Sequence, residues 1–325
     1  LKPNSLKTGP CKPNVTADNS AAPTALADRP VLVRPREGPH PHAEFRSAHP
    51  PPPEEGGRIS GSVQPADAAG PPRAAPVTMN HQAHIDRFRS ARSDHTLVVL
   101  EGLHPLKHAI RVGAELLEVL APEGGDLDRL VAQYAPDTAV VIESNVQTIP
   151  TDTFSKLAPV TPPTGVIAIA KRPEISPSDI LDDPNEAPVV LLENPRNQLN
   201  IGAAIRVSAA AGAAGVLTTG PQDPWNPAAV IAATGLQYAL PVARIDSLPA
   251  CNRALVVFDP DGEPLQKGSL PPHAILAFGA EREGISRELI SKAGHCISIP
   301  MSPGVSSLNL ATAVSAVLYA WRLGL

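Results

Sequence analysis

The sequence predicts an α/β protein with two folded parts. Three observations carry this. Strand-like apolar runs alternate with helix-like stretches from residue 79 to the end, a Pro-rich acidic segment at 173–187 divides that region, and residues 1–78 lack any sustained apolar period. A chain of 325 residues is long enough for two ordinary domains, each with its own core.

The front segment, with HPPPPEEGG and GPPRAAP, is dominated by Pro, Ala, Gly and polar residues. It cannot bury enough apolar surface to offset its ordering entropy, so residues 1–78 read as disordered. The chain opens on Leu1, and its methionines are Met79 and Met301. Met79 stands where the globular pattern begins and is the expected natural start, with 1–78 as translated upstream sequence.

In the first folded part, 79–172, the basic stretch IDRFRSARSDHT precedes TLVVLEG, a buried strand ending at Gly102. PLKHAIRVGAELLEVL places Leu106, Ala109, Ile110, Leu116 and Leu117 near helical spacing and then passes into strand-like LLEVLAP. DLDRLVAQYA reads as a short amphipathic helix, TAVVIES as a strand, TDTFSKLA as a helical piece and TGVIAIAKRP as a closing strand. PEISPSDILDDPNEA, with three Pro, five acids and little apolar content, reads as a linker over 173–187. In the second part, 188–325, VVLLE, GVLTT, LPVARI, ALVVFD, AILAFG and HCISIP read as strands, with GAAIRVSAAAGA, PAAVIAATG and SRELISKAG as helices. The terminal helix LNLATAVSAVLYAWRL is apolar almost all round, so burial on more than one face is expected, by deep packing or at a subunit interface.

Several function classes drop out. A formal net charge of −5 argues against non-specific coating of nucleic acid, while leaving room for a local basic groove. No apolar run reaches the roughly eighteen residues needed to span a bilayer, so no membrane partner is expected. No segment pairs a basic flank with an apolar core and a small-residue cleavage site. Cys11, Cys251 and Cys296 form no CxxC pair, which argues against a disulfide framework or thiolate zinc site and makes a reducing cytoplasm the expected location. His104 and His108 stand at i and i+4 without an acidic or Cys partner at ligand spacing, so a solvated helix face is expected there and no metal. Arg87, Arg89 and Arg92 fit either a phosphate contact or a solvated charged helix. No GxGxxG follows a strand, and neither GxxxxGK nor GxSxG occurs, which removes the usual dinucleotide, phosphate-loop and hydrolase readings.

Three segments of the second part set a polar cluster at a strand end, where ligands gather in α/β sheets. In ENPRNQLNIGAAIRVSAAAG, Asn200 is placed to cap the helix, Gly202 permits close approach, and Arg206 follows within the second turn. LAFGAEREGIS carries a strand into a Gly-bearing turn with Glu281. IPMSPGVSSLN ends in Ser306, Ser307 and Asn309 just before the terminal helix, where hydroxyls and carboxamides serve as N-caps.

Taken in order, these segments resemble the three motifs of the SpoU/TrmH family of SPOUT RNA methyltransferases. The resemblance covers residues 188–325, with NIGAAIRVSAAAG as motif one, LAFGAEREGIS as motif two and ISIPMSPGVSSLNLATAVSAVLY as motif three. ENPRNQ stands where the family more often has an acidic residue, a hydrophobic one and DP, and Val207-Ser208 where Thr-Ala is common. The first part, through VVLEGLHPLKHAI and TPPTGVIAIAKRP, is similar in a less specific way to the small L30e-like RNA-binding domain that often precedes this catalytic domain. The resemblance implies a SPOUT-type parallel sheet whose C-terminal segment threads a deep trefoil knot, an exception to the general rule that chains do not knot. It implies a homodimer formed through the knot region, rRNA or tRNA as partner, and S-adenosylmethionine as methyl donor without a metal. Carried over residue by residue, Gly279, Ile299 and Leu308 line the donor pocket, with Met301 close by.

Transfer of a methyl group to a ribose 2′-hydroxyl needs an in-line oxygen and a way to accommodate its lost proton. The resemblance assigns this to Arg206. A guanidinium holds its proton, so its expected role is to orient a phosphate and stabilise the forming oxyanion, with the proton passing to water. Asn200 and Asn309 are expected to fix the loops, Glu281 to hold Arg206 or Asn200, and Ser307 to face the substrate. A knotted RNA-binding protein without transfer activity and a small-molecule methyltransferase are the competing readings.

Overall fold

The computed structural model describes residues 80–325. The segment expected to be disordered, 1–78, and the expected start at Met79 lie outside the described residues.

The first sheet is built from 80–172. The element order is α1 (His81–Ala91), β1 (Leu97–Glu101), α2 (Leu103–Arg111), β2 (Leu116–Pro122), α3 (Leu127–Tyr134), a 3₁₀ turn (Pro136–Thr138), α4 (Ala139–Asn145), β3 (Val146–Ile149), α5 (Thr151–Phe154) and β4 (Ile167–Lys171). The strands lie in the order β1-β4-β2-β3, with β4 antiparallel to both its neighbours and β2 parallel to β3. Pleating sends Val98 and Leu100 to one face and Val99 to the other, where Phe88 of α1 covers it. Gly102, at φ 102°, turns the chain from β1 into α2, and the Thr164 hydroxyl caps that helix by accepting from the Leu103 N–H at 2.8 Å.

TAVVIES is the clearest departure from expectation. It forms the 3₁₀ turn and α4, with Ile142 buried but Val140 77% exposed, and the strand is the following VQTI. Its β-branched run imitates a buried strand, yet only one of its three consecutive aliphatic residues reaches the core.

The expected linker is fastened down. Ser176 and Asp179 close a capping box on α6 (Pro177–Leu181), and Ile180 and Leu181 are buried under the second sheet. Buried Arg253 donates to the carbonyls of Leu181, Asp183 and Ala187 at 2.9, 2.7 and 3.0 Å.

The second sheet comprises β5 (Val189–Leu192), α7 (Gln198–Ala211), β6 (Gly215–Thr218), α8 (Pro227–Ala233), a 3₁₀ turn (Leu236–Tyr238), β7 (Val242–Arg244), β8 (Ala254–Pro264), β9 (Ala274–Phe278), α9 (Arg287–Lys292), β10 (His295–Ser298) and α10 (Leu310–Leu323). Its six strands run in the order β10-β8-β9-β5-β6-β7, and every pairing is parallel. Parallel sheets need both faces covered. Val190 and Leu192 accordingly face a core with α7 and α8, while Val189 and Leu191 face one with α6 and α9. From β5 the chain winds one way to β6 and β7, then crosses to β8 on the far side. The reversal between β5 and β9 is a topological switch point, which opens a crevice beyond their carboxyl ends.

One apolar core runs from α2 of the first sheet through α8 to β5 of the second. Beside it, Arg172 grips Asp223 through both guanidinium arms at 2.8 and 3.0 Å and lies over the Trp225 ring. Burial pushes the Asp223 carboxyl up, but hydrogen bonds from Arg172 and the Trp225 N–H outweigh it and leave the group below its ordinary range. The terminal helix α10 packs Leu310, Val314, Val317 and Leu318 inward, whereas Tyr319 is 40% and Leu323 66% exposed. Within one chain it is therefore buried on a single face, not on several as its composition predicts. Among the described residues no helix is long and apolar enough to cross a membrane.

Candidate active site

The site forms where β9 and β10 end, beside residues 258–260 of β8. Phe278 closes β9 and the chain turns back on itself through 279–284, clasped by Ala280 N–H to Gly284 O at 3.2 Å and Gly284 N–H to Ala280 O at 2.9 Å. A Cβ at Gly279 would run into the backbone of Gly284 and Ile285, so only glycine closes this turn. Beyond the turn, Ser286 caps α9 and is itself anchored. Its N–H and hydroxyl donate to Glu193, at the end of β5, at 2.7 and 2.6 Å.

Residues 299–309 then run from β10 to α10 alongside this turn. Between them lies a cavity of about 310 Å³ lined by Gly279, Glu281, Ile299, Met301, Ser307 and Leu308, among others. All four expected donor-pocket residues, Gly279, Ile299, Met301 and Leu308, are therefore on its wall. So are Phe258 and Phe278, paired in register across β8 and β9 and stacked with ring centres 4.8 Å apart. Asp259 joins them at the rim. These residues were missed from sequence; Phe278 stands at the end of β9, where the strand-end rule could have found it, whereas Phe258 and Asp259 lie inside β8, which runs on to Pro264.

A chain of amides joins the three motifs. Asn309 is the N-cap of α10, its Oδ1 accepting from the Ala311 and Thr312 N–H groups at 3.0 and 3.3 Å. Its oxygen thus committed, its Nδ2 donates to Asn200 Oδ1 at 3.0 Å. Asn200 Nδ2 in turn donates to Glu281 Oε1 at 2.7 Å. The helix end therefore sets the polarity of the whole chain, which ends on a carboxylate. Glu281 also accepts from the Arg196 N–H at 3.3 Å. Burial works to raise the Glu281 pKa, but the Asn200 bond and the surrounding backbone N–H groups prevail, and the carboxyl lies below its ordinary value.

One assignment needs correction. Asn200 does not cap α7; Asn197 does, accepting from the Leu199 N–H at 2.8 Å, and Asn200 sits inside the first turn. The helix starts one turn earlier than expected, which frees the Asn200 side chain to bridge the other motifs. Of the two partners expected for Glu281, it holds Asn200 and not Arg206. Arg206 is exposed, lies outside the cavity wall, and makes no hydrogen bond or ion pair among the described residues. The close approach permitted by Gly202 is to α8, where a Cβ would strike the Ala229 carbonyl.

Residues 187–319 match the family model described as the SpoU rRNA Methylase family. A 23S rRNA (adenosine(1067)-2′-O)-methyltransferase of Streptomyces laurentii is 31% identical over 256 residues, covering 73% of this chain and 90% of that enzyme. The chain belongs to the SpoU rRNA methylase family. Its fold is also that of the SpoU methyltransferase AviRb from Streptomyces viridochromogenes, solved in complex with AdoMet. The TM-score is 0.61 at 23% identity, over 74% of this chain and 97% of that one. An rRNA methyltransferase from Sinorhizobium meliloti matches with TM-score 0.60 and 25% identity, over 78% of this chain and 96% of that one.

In this SpoU-family chain the three polar residues 200, 281 and 309 form one network, Ser307 stands exposed on the cavity wall, and Arg206 stands apart on the outer side of α7. Of the basic residues of α1, Arg87 pairs with Glu118, Arg89 with Asp86, and Arg92 with Glu101 and the Leu157 carbonyl. That stretch is a self-neutralised structural face.

Proposed function

We propose that this protein transfers a methyl group from S-adenosylmethionine to a ribose 2′-hydroxyl of ribosomal RNA. The observation that carries the reading is the cavity between the motif-two turn and the motif-three loop, whose wall requires a glycine at 279. Its volume of about 310 Å³ falls at the small end of the range of ligand pockets. Its stacked phenylalanines and Ile299 offer an apolar wall, and Asp259 and Glu281 set negative charge at the rim. That combination suits an adenosine attached to a cationic sulfur.

When bound, S-adenosylmethionine supplies a methyl group on a positively charged sulfur. Gly279, Ile299, Met301 and Leu308 hold its adenosine part against the strand ends. Asn200, Glu281 and Asn309 lock the two loops in register, so the cavity keeps its shape without reorganising during reaction. Ser307, exposed at the edge, faces the incoming ribose. Arg206 donates to a phosphate or to the oxygen as its negative charge develops, and the proton leaves to water, because a guanidinium donates protons and does not accept them.

In this reading 299–309 threads the trefoil knot, the first sheet is the L30e-like substrate domain, and the protein works as a cytoplasmic homodimer. The exposed face of α10, with Tyr319 and Leu323, suits the dimer contact.

The experiment is transfer of labelled methyl from S-adenosylmethionine to deproteinised 23S rRNA. Label that precipitates with the RNA supports the reading. Label confined to a small-molecule fraction, or none despite donor binding, overturns it in favour of a small-molecule methyltransferase or an inactive RNA-binding protein.

A further inference from the structure

Helix α2 carries His104, Lys107, His108 and Arg111 at spacings i, i+3, i+4 and i+7, which brings all four onto one face. The opposite face, with Leu103, Leu106 and Ala109, is buried in the shared core, so the cationic stripe looks outward. The helix is seated against the end of α8. A Cβ on Gly235 would come within 2.5 Å of the Pro105 carbonyl oxygen, so the absence of a side chain there lets α2 settle onto the 3₁₀ turn Leu236–Tyr238. That turn also packs on α7. The result brings α2 close enough to Arg206 for the guanidinium charge to act on both imidazoles.

Five basic side chains thus gather at the junction of two elements in a protein of net charge −5. A single carboxylate answers them among the neighbours acting on this stripe: Asp137, of the 3₁₀ turn beside α2, takes Arg111 in a two-armed pair at 2.8 Å per arm. Lys107 reaches only the Tyr134 carbonyl, at 3.4 Å. His104, His108 and Arg206 make no hydrogen bond or ion pair among the described residues. The contrast with α1 is direct, since each arginine there is met by a carboxylate. Like charges held together without counter-charges repel, and an anion that spans the stripe relieves them.

We infer that the outward face of α2 and Arg206 together form one phosphate-binding track, along which the RNA backbone is held so that a neighbouring nucleotide reaches the methyl-transfer site. The inference rests on the reading of RNA methyl transfer and names the surface that takes the substrate. A run of phosphates is the anion that fits a stripe about two helical turns long, or about 10 Å.

The imidazoles add a pH signature. Burial lowers both pKa values from 6.5, with the Lys107 and Arg206 charges, and for His108 also Arg111 and His104, acting in the same direction. From the other elements packed on α2, Asp137 is held by Arg111, Glu101 of β1 by Arg92, Lys171 of β4 pairs with Glu115, and Tyr238 is kept neutral by burial. Phosphates favour the charged imidazoles, so binding takes up protons and tightens as the pH falls below 6.5 towards the lowered values of the two groups.

The test is filter binding of labelled 23S rRNA to the full chain across a salt series at pH 6 and pH 8, with methyl transfer measured in parallel. Lys107→Gln is expected to weaken RNA binding about fivefold near physiological salt and to reduce the slope of log affinity against log salt by about one. The double variant His104→Gln/His108→Gln is expected to lose affinity at pH 6 and match wild type at pH 8. Asp137→Asn, which frees Arg111, is expected to tighten binding, a gain that a misfolded variant cannot imitate. S-adenosylmethionine affinity stays at the wild-type value throughout. Variants with wild-type RNA affinity and slope, in a protein that still methylates RNA, overturn the inference alone. A wild-type chain that neither binds nor methylates RNA overturns it together with the reading beneath it.

Discussion

At the scale of single residues, Asn309 carries two jobs that substitutions can separate. Its oxygen caps α10 and its nitrogen holds Asn200, which holds Glu281. Asn309→Ala loses both, and should cost about 1 kcal/mol in unfolding free energy through the cap, read by urea denaturation. Asn309→Asp keeps an acceptor at the helix N-terminus but cannot donate. It should stay near wild-type stability yet weaken S-adenosylmethionine binding by roughly 0.5–1.5 kcal/mol, one hydrogen bond's worth, in a calorimetric titration. Wild-type donor affinity in Asn309→Asp would reduce Asn309 to a cap. Glu281 adds a pH limit. Its carboxyl is depressed in the folded protein, so its contribution is complete above the ordinary 4.5 and is lost as the pH falls through the lower folded value. Glu281→Gln should remove that acid-side loss of donor binding. Each member of this network was legible as a residue, but its partners were not. ENPRNQLN offers Asn194, Asn197 and Asn200 at intervals of three, each a good cap, and the choice depends on where the turn after β5 releases the chain.

At the scale of elements, the alternation of strand and helix is readable because a parallel sheet buries continuous apolar runs. VVLLE, GVLTT and AILAFG all stand as β5, β6 and β9 with little shift. TAVVIES fails for the same reason that those succeed, since a run of aliphatic residues announces burial and does not say which backbone carries it. The grip of Arg172 on Asp223 was also hidden, being made between residues 51 apart whose types are common. It fastens the end of β4 to the turn before α8. Asp223→Ala leaves a half-buried guanidinium over Trp225 without its carboxylate and should cost about 1–3 kcal/mol. Arg172→Ala/Asp223→Ala should cost less than the sum of the two single variants, and strict additivity in a double-mutant cycle would mean the two side chains do not cooperate.

At the scale of the whole molecule, three motifs spread over more than a hundred residues converge because the sheet reverses its winding between β5 and β9 and the chain returns from β10 to lay α10 against α7. The order of the motifs could be read from sequence, and so could Gly279, Ile299, Met301 and Leu308 of the pocket, though not Phe258, Asp259 and Phe278. The outward position of Arg206, its separation from Glu281 and the cationic face of α2 belong to tertiary packing and leave no local signature. The half-covered α10 has a consequence at this scale too. If Tyr319 and Leu323 meet a second copy, Tyr319→Asp should convert a dimer to a monomer in sedimentation equilibrium, and a monomeric wild type would remove that contact from the account. The most direct measurement of the central claim is methyl transfer from labelled S-adenosylmethionine to 23S rRNA, followed by alkaline hydrolysis, for wild type and Arg206→Ala, with donor affinity measured on both. The account predicts label in an alkali-resistant dinucleotide for wild type, and for the variant a loss of transfer of about a hundredfold or more with donor affinity intact. Label in ordinary mononucleotides, or an Arg206→Ala protein that transfers at the wild-type rate, would contradict it.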